Sequence, residues 1–436
     1  MKKIGVVALC AAALSITALY VAVSAQGAAP RYVFDPGWPK QLPNHWKMGG
    51  VTGLAVVPND DTVWVYDRPN DLTNLELEAE TGTSDCCVRP PSMIHIAKDG
   101  SVLGSFNPPQ GHGMDVDSKG FAYLGQNTVR KYDTKTGKLV GEFPHTPELE
   151  NGGKFGPPEE PKHTPGVGGQ GPVAGFLPPP PGAAGRGGRG GRGGNVDPAA
   201  AAAARDAFRK KYPPTTPMIV GGIEEVRVDE PNNEVYIADN YLGGRVLVFD
   251  MNTFAFKRGW GAYGHKLSEI TTDPKDREFV DGKSPKEFRN HLTLNISNDG
   301  LVYAADRGAQ RIDVTTREGK YVKSIDMTAP GTKLNDSDRG AAGGVAFSAD
   351  KAQKYLYICD IKNNTIWFVD RQTGKIDGRV GSMGEEGGEF FGLHMIATDS
   401  KGNIYTGEVF AGQRVQRFVP ADSPRGKILE QLARVQ

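Results

Sequence analysis

The sequence predicts an all-β protein, a six-bladed β-propeller, and three observations lead to this prediction. Six segments share one plan: a strand of alternating apolar residues, a Gly/Asn/Asp turn, a second apolar strand, and then a third strand. Fourth strands such as KLVGEF, YVKSI and KIDGRV follow several of them. Glycine (57 residues) and proline (31 residues) are abundant, as expected for many short strands joined by turns. Four antiparallel strands repeated six times define such a propeller.

The six repeats divide the chain. They begin at Val51, His112, Ile223, His291, Gly343 and Leu393. The last repeat lacks a clear fourth strand, and the early stretch RYVFDPGWP contains a strand-like run that would complete it. We therefore predict a closing strand and blades one and two in residues 31–143, blades three to six in residues 222–420, and a C-terminal tail in residues 421–436.

The N-terminus has the features of an export signal. Two lysines precede an apolar run from Ile4 to Val23, and small residues before Gln26 offer a cleavage site. We predict that residues 1–25 are a cleaved signal peptide, with an uncleaved anchor as the alternative because the apolar run is long. The mature protein is then periplasmic or secreted, and we expect no other contact with a membrane.

Export places the remaining cysteines in an oxidising compartment. The adjacent Cys86 and Cys87 form either a vicinal disulfide or two loop thiols. Cys359 lies in the strand YLYICD, where we expect a buried thiol.

Two segments interrupt the repeats. Residues 144–221 contain PPPP and GRGGRGGRGG, a composition that forms no packed core, so we predict a long disordered Gly/Pro-rich insertion. Within it, Asp197–Lys211 is a candidate short helix. The polar segment Ala262–Phe288 is expected to be a loop on one face of the ring, together with the double-cysteine loop Asn70–Pro91.

The charge balance argues against two classes of partner. The chain has 51 basic and 51 acidic side chains, so nothing indicates attraction to nucleic acid or to an anionic membrane. RGG repeats bind RNA in other proteins, but an exported protein rarely meets any. We expect a monomer.

Three histidines recur near one point of alternate repeats. His112, His291 and His394 open the segments GHGMDVDSKG, NHLTLNISNDG and LHMIATDSKG. In a ring of six blades, alternate copies lie about 120° apart, so equivalent side chains converge on the axis. Three neutral imidazoles hold Zn²⁺ with one position left open. The spacing therefore predicts a zinc site at these histidines.

His291 fits this pattern less well than the other two. His112 and His394 stand eight residues before the glycine of their turn, whereas His291 stands nine before it. Because strand faces alternate, the extra residue puts His291 out of phase, which a bulge or a longer turn would correct. The alternative for each histidine is an ordinary polar residue at a strand start. The equivalent positions in the other repeats are not histidine: Thr52, Glu224 and Gly343.

Two patterns carry a resemblance to known families. The pattern D-x-x-x-x-(G/Q)-R-(V/I)-x-x-F, seen in DNYLGGRVLVF, DRGAQRIDV and (with Glu first) EVFAGQRVQRF, resembles NHL-repeat propellers. The histidine segments resemble those of peptidyl-α-hydroxyglycine α-amidating lyase, over most of residues 50–420 outside the insertions. The arginines at the recurring position of the first pattern are interpreted as structural, bonding between blades: Arg245, Arg311 and Arg414.

The lyase resemblance implies a site of six residues. Three histidines bind a catalytic zinc in that family, a tyrosine acts near the metal, and two arginines match as well. Their counterparts here are His112, His291 and His394 as metal ligands, with Tyr241, Arg68 and Arg307 as catalytic residues. The implied reaction cleaves an α-hydroxyglycine-type adduct to an amide and glyoxylate, and the implied substrate is a small molecule or peptide carrying a carboxylate.

The chain also departs from that family. Gly392 and Met395 replace a methionine and an acidic residue of a calcium site around the last histidine, so calcium is not carried over. The family's disulfides have no equivalents. Three other functions stay open: a hydrolase using the same zinc, a non-catalytic propeller that binds a protein or glycan, and a calcium-dependent lactonase or quinone-dependent dehydrogenase. The last pair requires acidic groups near the axis, where only Glu224 qualifies.

Overall fold

The computed structural model describes residues 29–147 and 198–434, except 241, 272, 278–282, 290 and 329–340. The strands of these residues form six four-stranded antiparallel sheets arranged in a ring. The predicted six-bladed β-propeller is confirmed.

Five of the blades consist of consecutive strands, and the sixth borrows one from the N-terminus. The first three are blade one, β2 (Gly50–Val56), β3 (Val63–Arg68), β4 (Met93–Ile96) and β5 (Val102–Phe106); blade two, β6 (Met114–Val116), β7 (Phe121–Gly125), β8 (Val129–Asp133) and β9 (Leu139–Glu142); and blade three, β10 (Ile223–Asp229), β11 (Glu234–Asp239), β12 (Arg245–Asp250) and β13 (Phe256–Trp260). The others are blade four, β14 (Leu292–Ile296), β15 (Leu301–Asp306), β16 (Arg311–Thr316) and β17 (Tyr321–Asp326); blade five, β18 (Val345–Phe347), β19 (Tyr355–Asp360), β20 (Thr365–Asp370) and β21 (Ile376–Val380); and blade six, β22 (Leu393–Thr398), β23 (Ile404–Glu408), β24 (Val415–Pro420) and β1 (Tyr32–Phe34).

Helices are few in the described part of the chain. The α-helices are α1 (Pro198–Lys211) and α2 (Pro424–Ala433). Short 3₁₀ helices occur in the connections, at Pro43–His45, Pro69–Asp71, Leu75–Thr81, Glu230–Asn232, Ala262–Gly264, Leu267–Glu269, Pro274–Arg277 and Arg307–Ala309. Helix α2 occupies most of the predicted C-terminal tail, and Ser423 caps its first turn by accepting a hydrogen bond from Gly426 N.

The N-terminal strand closes the ring. Strand β1 pairs antiparallel with β24, with Tyr32 opposite Pro420 and Phe34 opposite Phe418. The carboxylate of Asp35, directly after β1, is fully buried and accepts hydrogen bonds from Arg417 of β24 and Arg425 of α2. The predicted ring closure is confirmed, and it covers the outer edge that β24 would otherwise expose.

The hydrophobic core lies between the blades. The second strands EVYIAD and YLYICD are buried along their whole length, because each sheet packs against a neighbour on both faces. One cluster joins Tyr236 of blade three to Leu294 of blade four, and another joins Leu54 of blade one to Met395 of blade six. The first strands of the six blades contact one another in order around the ring and therefore line its axis.

The predicted disordered insertion, residues 144–221, is too long. Residues 148–197 lie outside the described residues, but the candidate helix is confirmed as α1. Arg209 of α1 forms a buried ion pair with Glu287, with 2.7 Å between Nη2 and Oε2. Ile219 is buried between blades two and three and pairs with His145. The prediction was wrong for these flanks because their partners lie in distant parts of the chain, which composition does not reveal.

The long connections leave from one face of the ring. In an antiparallel blade, the connection between the second and third strands and the connection to the next blade lie at the same end. The double-cysteine loop is of the first kind and Ala262–Phe288 is of the second, so they share a face, as predicted. The first strands begin at this face. Cys86 and Cys87 are joined as a disulfide, and Cys359 is a buried thiol.

The predicted signal peptide, residues 1–25, lies outside the described residues. Among the helices that the structure describes, none has the length and apolar character needed to cross a membrane.

Candidate metal centre

Two of the three histidines meet at the start of the first strands. His112 lies just before β6 of blade two, and His394 is the second residue of β22 in blade six. Their Nε2 atoms are 3.1 Å apart, and the ring centroids are 4.9 Å apart. The side chain of His394 is buried, and that of His112 is partly buried.

Backbone irregularities bring these side chains together. The pairing of β22 with β23 shifts register between Leu393 and Met395, so His394 occupies a β-bulge, and Glu224 occupies the equivalent bulge of β10. Gly113 has a φ of 79°, and a Cβ there would lie 2.7 Å from Glu225 Cα. Only glycine therefore allows the His112 segment to approach blade three this closely.

Glu224 contacts the other two histidines. Its main-chain carbonyl accepts a hydrogen bond from His112 Nδ1 at 2.7 Å, and its carboxylate oxygen Oε1 accepts one from His291 Nδ1 at 3.0 Å. The second carboxylate oxygen accepts from Leu292 N, and from Asn240 Nδ2 at 2.8 Å. A carboxylate or carbonyl behind an imidazole is the usual partner of a metal-binding histidine.

No bulge corrects the extra residue at His291. Strand β14 pairs with β15 in unbroken register, from Leu292 opposite Asp306 to Ile296 opposite Val302. His291 itself precedes the strand and has a φ of 56°. The left-handed backbone, which is uncommon for residues other than glycine, turns the imidazole back toward Glu224.

The structure brings together two of the three predicted ligands, at a separation that fits both a hydrogen bond between the two rings and a shared metal ion. With Zn–N bonds near 2.0–2.1 Å, two imidazole nitrogens of a tetrahedral site lie about 3.3 Å apart, close to the separation of the His112 and His394 Nε2 atoms. Nδ1 of His112 faces a carbonyl oxygen, so its Nε2 presents a lone pair. Within the described residues, no group of three His, Cys, Asp or Glu side chains is close enough to hold a metal ion. His291 therefore does not join the His112–His394 pair but is hydrogen-bonded to the Glu224 carboxylate.

The electrostatics keep the buried histidine neutral. Burial lowers the pKa of His394 well below its usual value, and His112, Arg307 and His291 lower it further. A neutral imidazole is the form that binds a metal.

The predicted catalytic residues have different surroundings. Arg307 is buried at the start of the 3₁₀ helix after β15, where its backbone N–H donates to His291 O at 3.1 Å. Arg68 ends β3 and is ion-paired with Asp71, with 2.8 Å between Nε and Oδ2. Tyr241 lies outside the described residues. Arg307 therefore lies at the histidines.

The recurring arginines are structural, as predicted, but they bond mainly within their own blades. Arg245, Arg311 and Arg414 pair with the acidic residue that ends the second strand of the same blade: Asp239, Asp306 and Glu408. These carboxylates also accept backbone N–H groups from the segment leading into the first strand, from Gly221, Arg289 and Phe391. These pairs of an arginine with an acidic residue thus fix the segments that start the axial strands.

A cavity of about 220 Å³ lies at the other end of the first strands. Polar side chains from blades two, three and four line it, namely Asp115, Arg227 and Asn295. Arg227 is held by Glu225 Oε2 at 3.2 Å and by Leu294 O at 3.1 Å. The axis is therefore polar at both ends.

Sequence reasoning missed the part played by Glu224 and Asn240. The sequence places Glu224 at the blade-three position equivalent to the histidines and as an acidic group near the axis, but it does not reveal that this residue contacts two of them. An acidic residue at the position that holds histidine in alternate blades is the signal that marks it. Asn240, which is fully buried, carries no comparable signal because its partner is 16 residues away.

Fold and site together define a six-bladed β-propeller with a histidine pair at its axis. No protein-family model matches the chain, and no curated protein matches it. The chain is similar to a solved structural-genomics protein of unknown function from Bacteroides thetaiotaomicron VPI-5482, with 13% identity and a TM-score of 0.43, over 90% of this chain and 72% of that one. This similarity carries no argument about function.

Proposed function

We propose that the protein is an exported, zinc-dependent lyase that cleaves an N-substituted α-hydroxyglycine to an amide and glyoxylate. The observation that carries the proposal is the 3.1 Å separation of His112 Nε2 and His394 Nε2 at the axis. The Glu224 contact to His291 supports a third ligand, and the resemblance of the histidine segments to the amidating lyase supplies the reaction.

In this proposal His112, His291 and His394 hold the zinc ion, which when bound polarises the substrate hydroxyl. Arg307 binds the substrate carboxylate, since a guanidinium presents paired donors to its two oxygens. Arg68 contributes less to binding the substrate carboxylate, because some of its N–H donors are already engaged by the Asp71 carboxylate.

Tyr241 takes the hydroxyl proton in the proposed reaction. The C–N bond then breaks as the carbon–oxygen double bond of glyoxylate forms, and the departing amide nitrogen gains a proton. No oxidant or reductant is needed, because the α-carbon already has the oxidation level of the aldehyde product. The chain's own residues thus bind the substrate and move one proton.

The test uses the full chain and N-benzoyl-α-hydroxyglycine. We expect about one zinc ion per chain, and benzamide and glyoxylate released in equal amounts. His112→Ala and His394→Ala are expected to lose both the metal and the activity. The control is His265→Ala, because His265 contacts Glu269 in the connection between blades three and four.

Two results would contradict the proposal. One is turnover that survives zinc chelation or the loss of either histidine. The other is a wild-type chain that binds no zinc and releases no glyoxylate; a metal-free protein that binds a peptide or glycan would instead support the non-catalytic function.

A further inference from the structure

Glu224 serves two histidines through two different groups. Its carbonyl oxygen can only accept a hydrogen bond, so Nδ1 of His112 carries the proton and Nε2 carries a lone pair. Its carboxylate, when ionised, imposes the same tautomer on His291. These contacts join blade three, which contributes no ligand, to the histidines of blades two and four.

The carboxylate of Glu224 is itself held in place. Glu224 is 1% exposed, and its Oε2 atom accepts hydrogen bonds from the backbone N–H of Leu292 and from the buried side-chain amide of Asn240. With Oε2 occupied by two donors, Oε1 faces His291. The β-bulge at Glu224 sets the direction of the side chain, because it interrupts the regular alternation of β10.

We infer that Glu224 is the positioning residue of this centre: its carboxylate selects the Nδ1–H tautomer of His291 and so presents His291 Nε2 as a ligand. The inference rests on the proposed zinc site. A carboxylate behind a histidine ligand orients the ring and raises its basicity, and loss of such a group weakens metal binding about ten- to hundredfold. His112 depends on the main-chain carbonyl, so replacing the Glu224 side chain leaves its tautomer unchanged.

The neighbouring Glu225 provides a matched control. Both residues lie in β10 and both are 1% exposed, but the Glu225 carboxylate contacts Arg227 at 3.2 Å. We compare Glu224→Gln with Glu225→Gln. Two quantities are measured: the zinc dissociation constant, by competition with a chromophoric chelator, and the imidazole ¹⁵N chemical shifts of the metal-free protein, which report the tautomer of each ring.

For Glu224→Gln we expect zinc binding to weaken about ten- to hundredfold, and the Nδ1–H tautomer of His291 to lose population while that of His112 is retained. Glu225→Gln should leave both quantities close to those of the wild type. If Glu224→Gln does not fold, Glu224→Asp replaces it, since it keeps the charge and the main-chain carbonyl but withdraws the carboxylate by one methylene.

An unchanged His291 tautomer in the folded variant would overturn the inference, as would equal zinc loss in Glu224→Gln and Glu225→Gln. If the wild-type chain binds no zinc, the proposed function is wrong, and so is the part of the inference that makes His291 Nε2 a zinc ligand. The ¹⁵N shifts would then still show whether Glu224 sets the tautomer of His291, so the two failures are distinguishable.

Discussion

His112 and His394 are 282 residues apart in the chain, yet their Nε2 atoms lie 3.1 Å from each other. Blade one separates their two blades along the ring. Its first strand contacts the His112 segment directly: Thr52 O accepts from Gly113 N at 2.8 Å, and Thr52 Oγ1 donates to Gly111 O at 2.7 Å. The geometry of the pair therefore depends on how the blades close around the axis.

Gly113→Ala should disrupt both the fold and the centre. A Cβ at this position meets Glu225 Cα at 2.7 Å and Glu224 O at 2.9 Å, and the φ of 79° disfavours alanine. We expect the free energy of unfolding, measured with urea, to fall by more than about 2 kcal/mol. Gly104→Ala is the control, because a Cβ there has nothing within 4 Å. Equal stability of the two variants would show that this close approach is not required.

Arg307→Met should affect substrate binding more than Arg68→Met. Arg307 lies at the histidines: it is buried, its backbone N–H donates to His291 O, and its charge lowers the pKa of His394. Arg68 is instead paired with Asp71. In the proposed reaction we expect kcat/KM to fall about ten- to hundredfold for Arg307→Met, mainly through KM. Steady-state kinetics with N-benzoyl-α-hydroxyglycine measure this effect, with circular dichroism as the check on folding. A larger rise in KM for Arg68→Met would reverse the assignment.

Arg245→Met should destabilise blade three. Arg245 and Asp239 are both fully buried and form an ion pair at 3.0 Å, and Arg245 also donates to Thr216 O and Met218 O. Removing the arginine leaves the buried Asp239 carboxylate without its counter-charge and three carbonyl oxygens, of Pro214, Thr216 and Met218, without their donor, which costs about 3–5 kcal/mol. The free energy of unfolding measures the loss. Arg68→Met, at a partly exposed pair, should cost no more than about 1 kcal/mol, and comparable losses would refute a special role for Arg245.

Asp35→Asn should weaken ring closure in a pH-dependent way. Burial by itself raises the pKa of Asp35, but hydrogen bonds from Arg425 and Arg417 outweigh it and hold the pKa below its ordinary value. The carboxylate therefore stabilises the fold above the unfolded-state pKa of about 3.9, and this contribution is lost as the pH falls through the lower folded-state value.

At pH 7 we expect Asp35→Asn to lower the free energy of unfolding by about 2 kcal/mol, as measured by urea denaturation. The difference from the wild type should shrink in acid, below a pH of about 4. A difference that stays constant down to the acid limit would show that the ion pairs of Asp35 do not stabilise the closure.

The sequence alone determined the six repeats and the closing strand. Local periodicity is sufficient for this, because each blade repeats the same alternation of apolar residues and turns. The sequence also indicated that the recurring arginines are structural, because they occupy the same position of the repeat pattern, whereas the histidines recur only in alternate blades.

Only the tertiary structure decided how the centre is built. Glu224 is hydrogen-bonded to two histidines, His112 at a distance of 112 positions along the chain and His291 at a distance of 67. These contacts depend on the β-bulge at Glu224 and on the left-handed backbone of His291, which no periodicity reveals. The ion pair of Arg68 with Asp71 and the packing of Ile219 likewise depend on side-chain contacts. Periodicity along the chain specifies which strands form, whereas the contacts between blades, made by residues far apart in sequence, specify which side chains meet at the axis.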